Sequence, residues 1–199
     1  MTDDFPRGTV PWGLESTLAH AGTQSIESPR LELVLLSPEF LAALLDDRRE
    51  EAQALVTFVL PESWPEEDEA HFRMRLKQRQ DDPATAALLV RAMMLRGSRL
   101  PVCRIGFHGP PGVNSQDDPV ALEIGYDVDP ACRRKGYASE AAAALVSWGL
   151  ARPGISRVLA SISPTNAASL GLARKLGFVE VGTAWDDEDG EELVFERRR

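Results

Sequence analysis

Apolar and polar positions alternate along the chain in runs that predict strands and helices in turn. The alternating leucines at positions 31, 33 and 35 are typical of a strand, and Ser37 followed by Pro38 is typical of a helix start. The predicted strands span residues 30–36, 86–95, 102–107, 120–128, 157–162, 178–185 and 193–197. For residues 86–95 a helix is the alternative, because of their alanines and the Met93-Met94 pair. The predicted helices span residues 38–45, 65–80, 139–150 and 166–177, with a frayed charge run at 46–51 and a surface loop at 109–119.

Residues 1–28 carry prolines and glycines among polar residues without a sustained period, and they predict an N-terminal arm. Residues 29–199 are then predicted to form one domain, in keeping with a length of 199 residues and a mass of 21.8 kDa. Strands alternate with helices in the final third, after a more antiparallel first half. The predicted fold class is therefore α/β (α+β), with a mixed sheet flanked by helices.

The charge balance narrows the range of partners. Acidic residues number 31 and basic residues 22, which gives a net charge of −9. A surface this acidic repels phosphate backbones, so we expect no binding to nucleic acid or to an anionic membrane, and it suits a cationic partner such as an amine. Two cysteines, the absence of an apolar run of about 18 residues, and a start without a basic, apolar leader together predict a cytoplasmic protein.

The strongest local motif lies at residues 129–140, where a strand ends and a loop with three consecutive cations opens a helix. Arg133, Arg134 and Lys135 are those cations, and the small residues Gly136 and Ala138 allow backbone N–H groups to approach a ligand closely. A helix N-terminus adds about half a positive charge, so the segment suits a pyrophosphate. The alternative is a solvated basic loop that precedes a helix, and the motif alone does not decide between the two.

A second strand–helix unit follows at residues 157–177, where Asn166 is placed to cap the helix and Gly177 to end it. Taken alone, it is an ordinary capped helix. Beside the first unit, it would create a crevice where two parallel strands diverge, which is where ligands bind in such sheets.

Three segments in this order together resemble the GNAT N-acetyltransferase superfamily, and most closely its ribosomal-protein N-terminal (RimJ/RimL-type) branch. They are residues 122–126 (Leu-Glu-Ile-Gly-Tyr), residues 133–141 (Arg-x-x-Gly-x-Ala-Ser-Glu-Ala), and residues 166–178, which hold Asn-x-x-Ser and Lys-Leu-Gly-Phe. The resemblance covers residues 28–197. It implies a largely antiparallel central sheet that splays at a cofactor cleft, and a transferase that uses acetyl-CoA as co-substrate without a metal.

The resemblance also implies roles for individual residues. The loop and helix start that hold the pyrophosphate correspond to Arg133, Arg134, Lys135, Gly136, Tyr137, Ala138 and Ser139. The strand end whose backbone pairs with the pantetheine arm corresponds to Tyr126, Asp127 and Val128. Asn166 corresponds to the asparagine that contacts the cofactor.

The chain departs from the family pattern at two positions. Arg134 stands where the loop usually has a glycine, which could narrow the approach to the phosphates. Ala173 stands where many members have a tyrosine that acts as general acid, so that role must fall to another group or to water.

Transfer to an amine needs a proton acceptor, a polarised carbonyl and a proton for the departing thiolate. Glu123 corresponds to the family glutamate beside the thioester and is the candidate base, directly or through water; the alternative is a solvated or ion-paired strand residue. Ser169, the second predicted catalytic residue, corresponds to the serine near the cofactor sulfur, where positioning suits it better than acid catalysis. Backbone N–H groups of residues 126–128 are the candidate oxyanion donors.

The histidines predict no metal site. His20, His71 and His108 have no metal-ligand spacing with one another or with the two cysteines. We therefore expect all three to be isolated residues on the surface or in packing positions.

The sequence thus predicts an N-acetyltransferase that moves an acetyl group from acetyl-CoA to a primary amine by direct attack. The acceptor would be a protein N-terminus or a small amine such as a polyamine or an aminoglycoside. The alternative is a non-enzymatic CoA-binding or interaction protein with the same fold, which Ala173 keeps open. The arm at residues 1–28 could line the acceptor site, support a homodimer or do neither.

Overall fold

The fold is that of a computed structural model, which describes residues 25–98, 100–128, 130–187 and 190–199. Within these residues the strands form one sheet in the order β1-β2-β3-β4-β5-β6-β8-β7. The strands are β1 (Ile26–Glu27), β2 (Leu31–Leu35), β3 (Arg91–Leu95), β4 (Pro101–Phe107), β5 (Ala121–Val128), β6 (Arg157–Ile162), β7 (Val179–Asp186) and β8 (Gly190–Arg198). The α-helices are α1 (Pro38–Leu45), α2 (Arg49–Ala54), α3 (Glu69–Asp81), α4 (Tyr137–Leu150) and α5 (Ala167–Lys175).

The sheet is mixed and largely antiparallel, as the sequence predicts. Every pair of neighbouring strands in the described chain is antiparallel except β5 and β6, which run parallel. A parallel pair requires a crossover, and α4 supplies it. Among the described residues, no helix combines the length and the apolar content that crossing a bilayer requires.

Helices cover both faces of the sheet because side chains on its strands alternate between two cores. Leu33 and Met93 face a core shared with α4 and α5, whereas Val34 and Ala92 face a second core under α1 and α3. The second core contains four aromatic rings packed edge to face at centroid distances of 5.2–6.5 Å, namely Phe40, Phe58, Trp64 and Phe72. This packing holds α3 against the sheet beside the end of β4.

Three arginines lie buried at the edges of these cores and bind backbone carbonyl oxygens. Arg75 donates to the carbonyl of His108, Arg79 to that of Leu36, and Arg91 to that of Ala87. Burial lowers the pKa of each arginine to about 10, so all three stay charged at neutral pH.

Two predicted elements are wrong in detail. The charge run at 46–51 does not fray: α2 begins at Arg49, because Ala52 packs into the second core and the Arg49 guanidinium binds three carbonyls of the following segment. The strand predicted at 86–95 begins only at Arg91, because the chain before it turns, with the N–H of Leu88 bonded to the carbonyl of Thr85.

The last residues of the predicted arm belong to the sheet. Ile26 and Glu27 form β1, which pairs antiparallel with β2 at Leu33 and Glu32. Residues 1–24, the rest of that arm, lie outside the described residues. The sheet therefore begins before the predicted domain boundary at residues 28 and 29.

We expect Gly106→Ala to destabilise the protein. A Cβ at position 106 would lie 2.8 Å from the carbonyl oxygen of Leu89, and backbone cannot move aside as a flexible side chain can. The free energy of unfolding, measured in urea, should fall by about 1–3 kcal/mol. Gly171→Ala is the control, since a Cβ there meets nothing within 4 Å and a helical alanine should raise the same quantity by about 0.5–1 kcal/mol. Equal stability of the two variants would contradict the close approach.

Candidate active site

The site begins where two parallel strands part. β5 and β6 are paired at three positions, the last of them Glu123 with Leu159. Beyond that point β5 continues to Val128 paired only with β4, and β6 continues to Ile162 paired only with β8. The sheet therefore opens into a V-shaped gap, as the crevice predicted from the two strand–helix units requires.

The gap leads to the N-terminus of α4. The loop before this helix leaves the first N–H groups of α4 uncapped. Arg133 is anchored by its Nε, which donates to the carbonyl of Val128 at 2.9 Å. Gly136 is the N-cap residue, with φ +81°, and no side chain of the described chain caps the helix. The N–H groups of residues 137–139 are consequently left for a ligand, and the helix dipole favours an anion there.

Arg134 keeps the backbone conformation of the glycine that the resemblance implies at its position. Its φ is +63°, in the left-handed region that a side chain disfavours by about 1–2 kcal/mol. The arginine therefore does not remodel the loop, because the backbone follows the path a glycine would take and the long side chain leaves from it.

The turn between β1 and β2, which lies outside the predicted motif, contacts this loop and the start of α4. Glu140, in the first turn of α4, accepts hydrogen bonds from the hydroxyl of Ser28 at 2.7 Å and from the backbone N–H and Nε of Arg30, both at 2.6 Å. Arg30 also donates to the carbonyl of Lys135 at 3.1 Å and lies over the ring of Tyr137 at 5.1 Å. The turn between β1 and β2 thus holds the loop and the helix start together.

On the other wall of the gap, α5 presents two polar side chains near a phenol of β5. The Asn166 side chain caps α5, its Oδ1 accepting from the N–H of Ser169 at 3.0 Å. The Ser169 hydroxyl is hydrogen-bonded to the Tyr126 phenol, whose pKa is raised overall because burial outweighs that bond. Ala173, which lies one turn further along and is 3% exposed, contributes only a methyl group.

Three cavities meet at Tyr126. The loop cavity, of about 540 Å³, lies between the loop and α5; it is lined by Tyr126, Asp127, Val128, Cys132, Arg133, Arg134, Gly136, Tyr137, Ala138, Ser139, Asn166, Ala168, Ser169, Gly171, Leu172 and Lys175. The gap cavity, of about 490 Å³, lies between the parted strands and reaches His108 and Asp186. The α3-side cavity, of about 540 Å³, lies on the opposite face, between α3 and the ends of β4 and β5. The gap cavity shares Tyr126 and Ser169 with the loop cavity, and His108 and Gly125 with the α3-side cavity, so the three cavities adjoin along one path.

Alternation along β5 divides its side chains between the two ends of this path. Ile124 and Tyr126 face α4 and α5, whereas Glu123, Gly125 and Asp127 face the α3 side. Groups that could act on a ligand from opposite sides are thus carried by neighbouring residues of one strand.

Glu123 lies beneath the α3-side cavity. Its side chain is 2% exposed, and Oε2 accepts the N–H of Ser115 at 2.5 Å. Oε1 lies 3.7 Å from Nδ1 of His108, which stands between the carboxylate and the open cavities.

The surroundings of His108 keep its imidazole neutral. Burial lowers its pKa, the positive charge of Arg75 lowers it further, and the carboxylates of Glu123 and Asp186 act in the opposite direction. His71, on α3, lines the same cavity, and burial lowers its pKa to about 3. In the part of the chain that the structure describes, no three His, Cys, Asp or Glu side chains are grouped to hold a metal ion.

The profile of the acetyltransferase (GNAT) domain family matches residues 30–179. The chain belongs to the GNAT acetyltransferase family.

Individual relatives of this GNAT domain extend the comparison. The uncharacterized N-acetyltransferase YjdG of Bacillus subtilis (strain 168) is 39% identical over 74 residues, which are 37% of this chain and 41% of that protein. A putative GNAT-family acetyltransferase from Bordetella pertussis has a TM-score of 0.61 at 24% identity, covering 87% of this chain and 99% of that one. RimL, a ribosomal L7/L12 α-N-protein acetyltransferase solved with coenzyme A, has a TM-score of 0.59 at 20% identity, covering 88% and 98%.

The solved structures and the curated relatives support different conclusions. The solved structures are less than 25% identical to this chain, so they support the fold. The chain spans less than half of the curated relatives it matches, from 34% to 44% of their lengths.

The GNAT fold brings together most of the predicted site residues. The loop cavity is lined by the predicted cofactor-binding residues except Lys135, and Ser169 joins them from α5. Glu123 lines none of the three described cavities.

Two residues of the site, Arg30 and His108, are not predicted from the sequence. Arg30 comes from the turn before β2, and nothing in the local pattern links it to a helix more than 100 residues later. The expectation that all the histidines are isolated is wrong for His108, which lies in the gap beside Glu123. The signal that could have found it is its position directly after a strand that neighbours β5.

We expect Glu140→Gln to lose stability that depends on pH. Burial raises the pKa of Glu140, but the hydrogen bonds from Ser28 and Arg30 lower it by more, so its folded pKa lies below the ordinary value. A depressed carboxylate pKa contributes stability above the unfolded pKa, and this contribution is lost as the pH falls through the folded pKa. Urea unfolding should give a deficit of about 1 kcal/mol for the variant at pH 7.

The deficit should shrink as the pH falls from about 4 through the folded pKa of Glu140, since the wild-type carboxylate is then protonated and both proteins lack the charge. Glu180→Gln, which removes an exposed carboxylate on β7, is the control and should show no deficit at either pH. A deficit for Glu140→Gln that stayed constant with pH would contradict the assignment.

Proposed function

We propose that this domain transfers an acetyl group from acetyl-CoA to a primary amine by direct attack. The observation that supports it most is the path of adjoining cavities along the gap between β5 and β6. One end of the path is cationic and faces the uncapped N-terminus of α4, and the other end is lined by the imidazole of His108, with the buried Glu123 carboxylate behind it. A long anionic donor and a separate amine acceptor need such a path, because they must meet from opposite sides.

The loop cavity carries the groups that the anionic part of the cofactor needs. The N–H groups of residues 137–139 and the positive charges of Arg133, Arg134 and Lys135 would hold the pyrophosphate. The free edge of β5 at Tyr126, Asp127 and Val128 would pair with the amides of the pantetheine arm, since β6 has turned away there. Asn166 would contact the same arm. Bound acetyl-CoA supplies the activated acyl group.

The sulfur end of the path lies at Ser169 and Tyr126. Their hydroxyls are hydrogen-bonded to each other and line both the loop cavity and the gap cavity. At that place they would orient the thioester and donate a hydrogen bond to the departing sulfur. The Tyr126 phenol would supply the hydroxyl group that is absent at Ala173.

The amine end lies on the α3 side. An amine attacks only when neutral, and at pH 7 about one α-amine in ten is neutral against a few lysine amines in ten thousand. Glu123 supplies the negative charge that favours removal of the amine proton. Because an α-amine is neutral more often than a lysine-type alkylamine, its deprotonation costs about 3.4 kcal/mol less.

We infer that the acceptor is a protein N-terminus or a small amine, and that the domain belongs to the ribosomal-protein (RimJ/RimL-type) branch. The sequence segments at 122–126, 133–141 and 166–178 support this branch, and the likeness to RimL is in keeping with it. The proposed catalytic unit comprises residues 29–199 together with β1, acting in the cytoplasm without a metal.

A non-enzymatic CoA-binding protein is the second candidate, because the buried methyl of Ala173 replaces a tyrosine that many family members use. Thiol release from acetyl-CoA separates the two. The acceptor panel should contain one peptide with a free N-terminus, the same peptide acetylated at its N-terminus but with a lysine, a polyamine and an aminoglycoside.

We expect thiol release with at least one of these amines. Release with the free peptide alone would assign the acceptor as an α-amine. Calorimetric binding of acetyl-CoA without release on any amine would favour the non-enzymatic candidate, and no binding would overturn both.

We expect Gly136→Val to weaken acetyl-CoA binding by at least about tenfold. A β-branched residue is strained at φ +81°, and its Cβ would lie 3.3 Å from Nη2 of Arg30, so the amides of the loop would be displaced. Gly112→Val is the matched control, since Gly112 has φ +93° and open space around it and lines none of the three described cavities. Calorimetry should find normal affinity for the control. Unaltered affinity of Gly136→Val would refute the assignment of the loop.

A further inference from the structure

Glu123 is badly placed to touch an amine. Its side chain is almost wholly buried, and one oxygen is occupied by the N–H of Ser115 at 2.5 Å. Neither oxygen faces any of the three described cavities. Whatever this carboxylate does in the gap, it must do through another group.

His108 is the group between Glu123 and the gap. Its Nδ1 lies 3.7 Å from Oε1 of Glu123, and its side chain lines both the gap cavity and the α3-side cavity. The ring is 43% exposed, so a ligand in either cavity can reach it.

The backbone of His108 is fixed from two sides. Its N–H donates to the carbonyl of Glu123 at 2.8 Å, which ties it to β5. Its carbonyl accepts from Nη1 of Arg75 at 2.5 Å and from Nε2 of Gln78 at 2.9 Å, which ties it to α3. The backbone of His108 is therefore held at a fixed place between β5 and α3.

Gly125 leaves the space that the His108 imidazole occupies. A Cβ at position 125 would lie 2.7 Å from Nε2 of His108, so only a glycine leaves room for the ring on this part of β5. Nε2 therefore lies over the strand just beyond Glu123, where β5 and β6 begin to part. This is the end of the gap at which an amine from the α3 side would meet the acyl group.

We propose that His108 accepts the proton of the acceptor amine through Nε2, and that Glu123 is the positioning residue that orients it. The inference rests on the proposed acetyl transfer. A carboxylate beside Nδ1 favours the tautomer with the proton on Nδ1, and it leaves the lone pair of Nε2 free. The same arrangement of carboxylate, imidazole and reacting group serves nucleophilic enzymes of unrelated folds.

The step balances without any further reactant. The amine nitrogen forms a bond to the thioester carbon, and the carbon–sulfur bond breaks with its electron pair leaving on sulfur. The amine proton passes to Nε2 of His108 and then to water. The thiolate takes up one proton from the solvent or through the Ser169 and Tyr126 hydroxyls, so the protein ends unchanged.

The charges around His108 determine the pH dependence. Burial lowers the pKa of His108 and Arg75 on α3 lowers it further, against the opposite effect of Glu123 on β5 and Asp186 on β7. The other charged or titratable groups that line the same cavities are His71, Arg104, Asp127 and Glu192. The basic, neutral form of His108 therefore persists below the ordinary histidine pKa of about 6.5. The rate should rise with pH along an acid limb below that value, separate from the further rise near pH 8 as an α-amine acceptor itself becomes neutral.

The first test is the pH profile of thiol release with the best acceptor. His108→Ala should lower kcat by about 100-fold or more, abolish the acid limb and regain part of its activity in buffer containing imidazole. His108→Gln, which keeps the size of the side chain, should show the same loss. It keeps the test valid if the alanine variant does not fold. Retention of the wild-type kcat and acid limb by both variants would overturn the proposal.

The second test addresses Glu123. Glu123→Gln removes a charge that raises the pKa of His108, so the acid limb should move to lower pH and kcat should fall while the KM for acetyl-CoA stays unchanged. His71→Gln is the matched control: it removes the other imidazole of the α3-side cavity, and the acid limb should not move. A Glu123→Gln variant with the wild-type limb would overturn the positioning role.

A measurement without turnover separates this proposal from the proposed function. NMR titration of the imidazole should give a lower pKa for His108 in Glu123→Gln than in the wild type. If no amine supports thiol release by the wild type, the acetyl transfer fails, and an unchanged NMR pKa overturns the coupling of Glu123 to His108 independently.

Discussion

The separation of β5 and β6 after three paired positions is the constraint on which the candidate site depends. Backbone N–H and carbonyl groups inside a protein need partners, and the sheet stops supplying them on this edge of β5 beyond Glu123. A ligand that carries its own amides can take the place of the missing strand. The fold thus creates an opening and leaves in it the hydrogen-bonding groups that would recognise what enters.

The two faces of the sheet give this opening two chemically different ends. On the α4 and α5 face, the ligand meets uncapped amides, exposed cations and hydroxyl groups. On the α3 face, the positive charge of Arg75 is turned inward onto a carbonyl, and Arg104 is paired with Asp68. The cations available to an anion are therefore concentrated at the loop, in a chain whose net charge is −9.

Local patterns carried much of the fold and part of the site. Alternation in segments such as 120–128 and 157–162 predicted strands close to the observed bounds, and Gly136 predicted a helix start open to a ligand. The late start of β3 follows a local turn, whereas the other errors share one physical origin, which is contact between residues distant in sequence. α2 depends on carbonyls of the segment that follows it, and Arg30 binds a helix residue 110 positions later. His108 becomes a candidate site residue only because the fold places it beside Glu123. No periodicity along the chain encodes such contacts.

The link from Glu140 to Ser28 and Arg30 bears on where this protein can be shortened. The family match starts at residue 30, which invites trimming of everything upstream. A version that started at residue 30 would retain the cofactor loop but delete β1 and the Ser28 hydroxyl that binds Glu140. A shortened version that keeps these contacts has to begin at least four residues before the family match, at Ile26 or earlier.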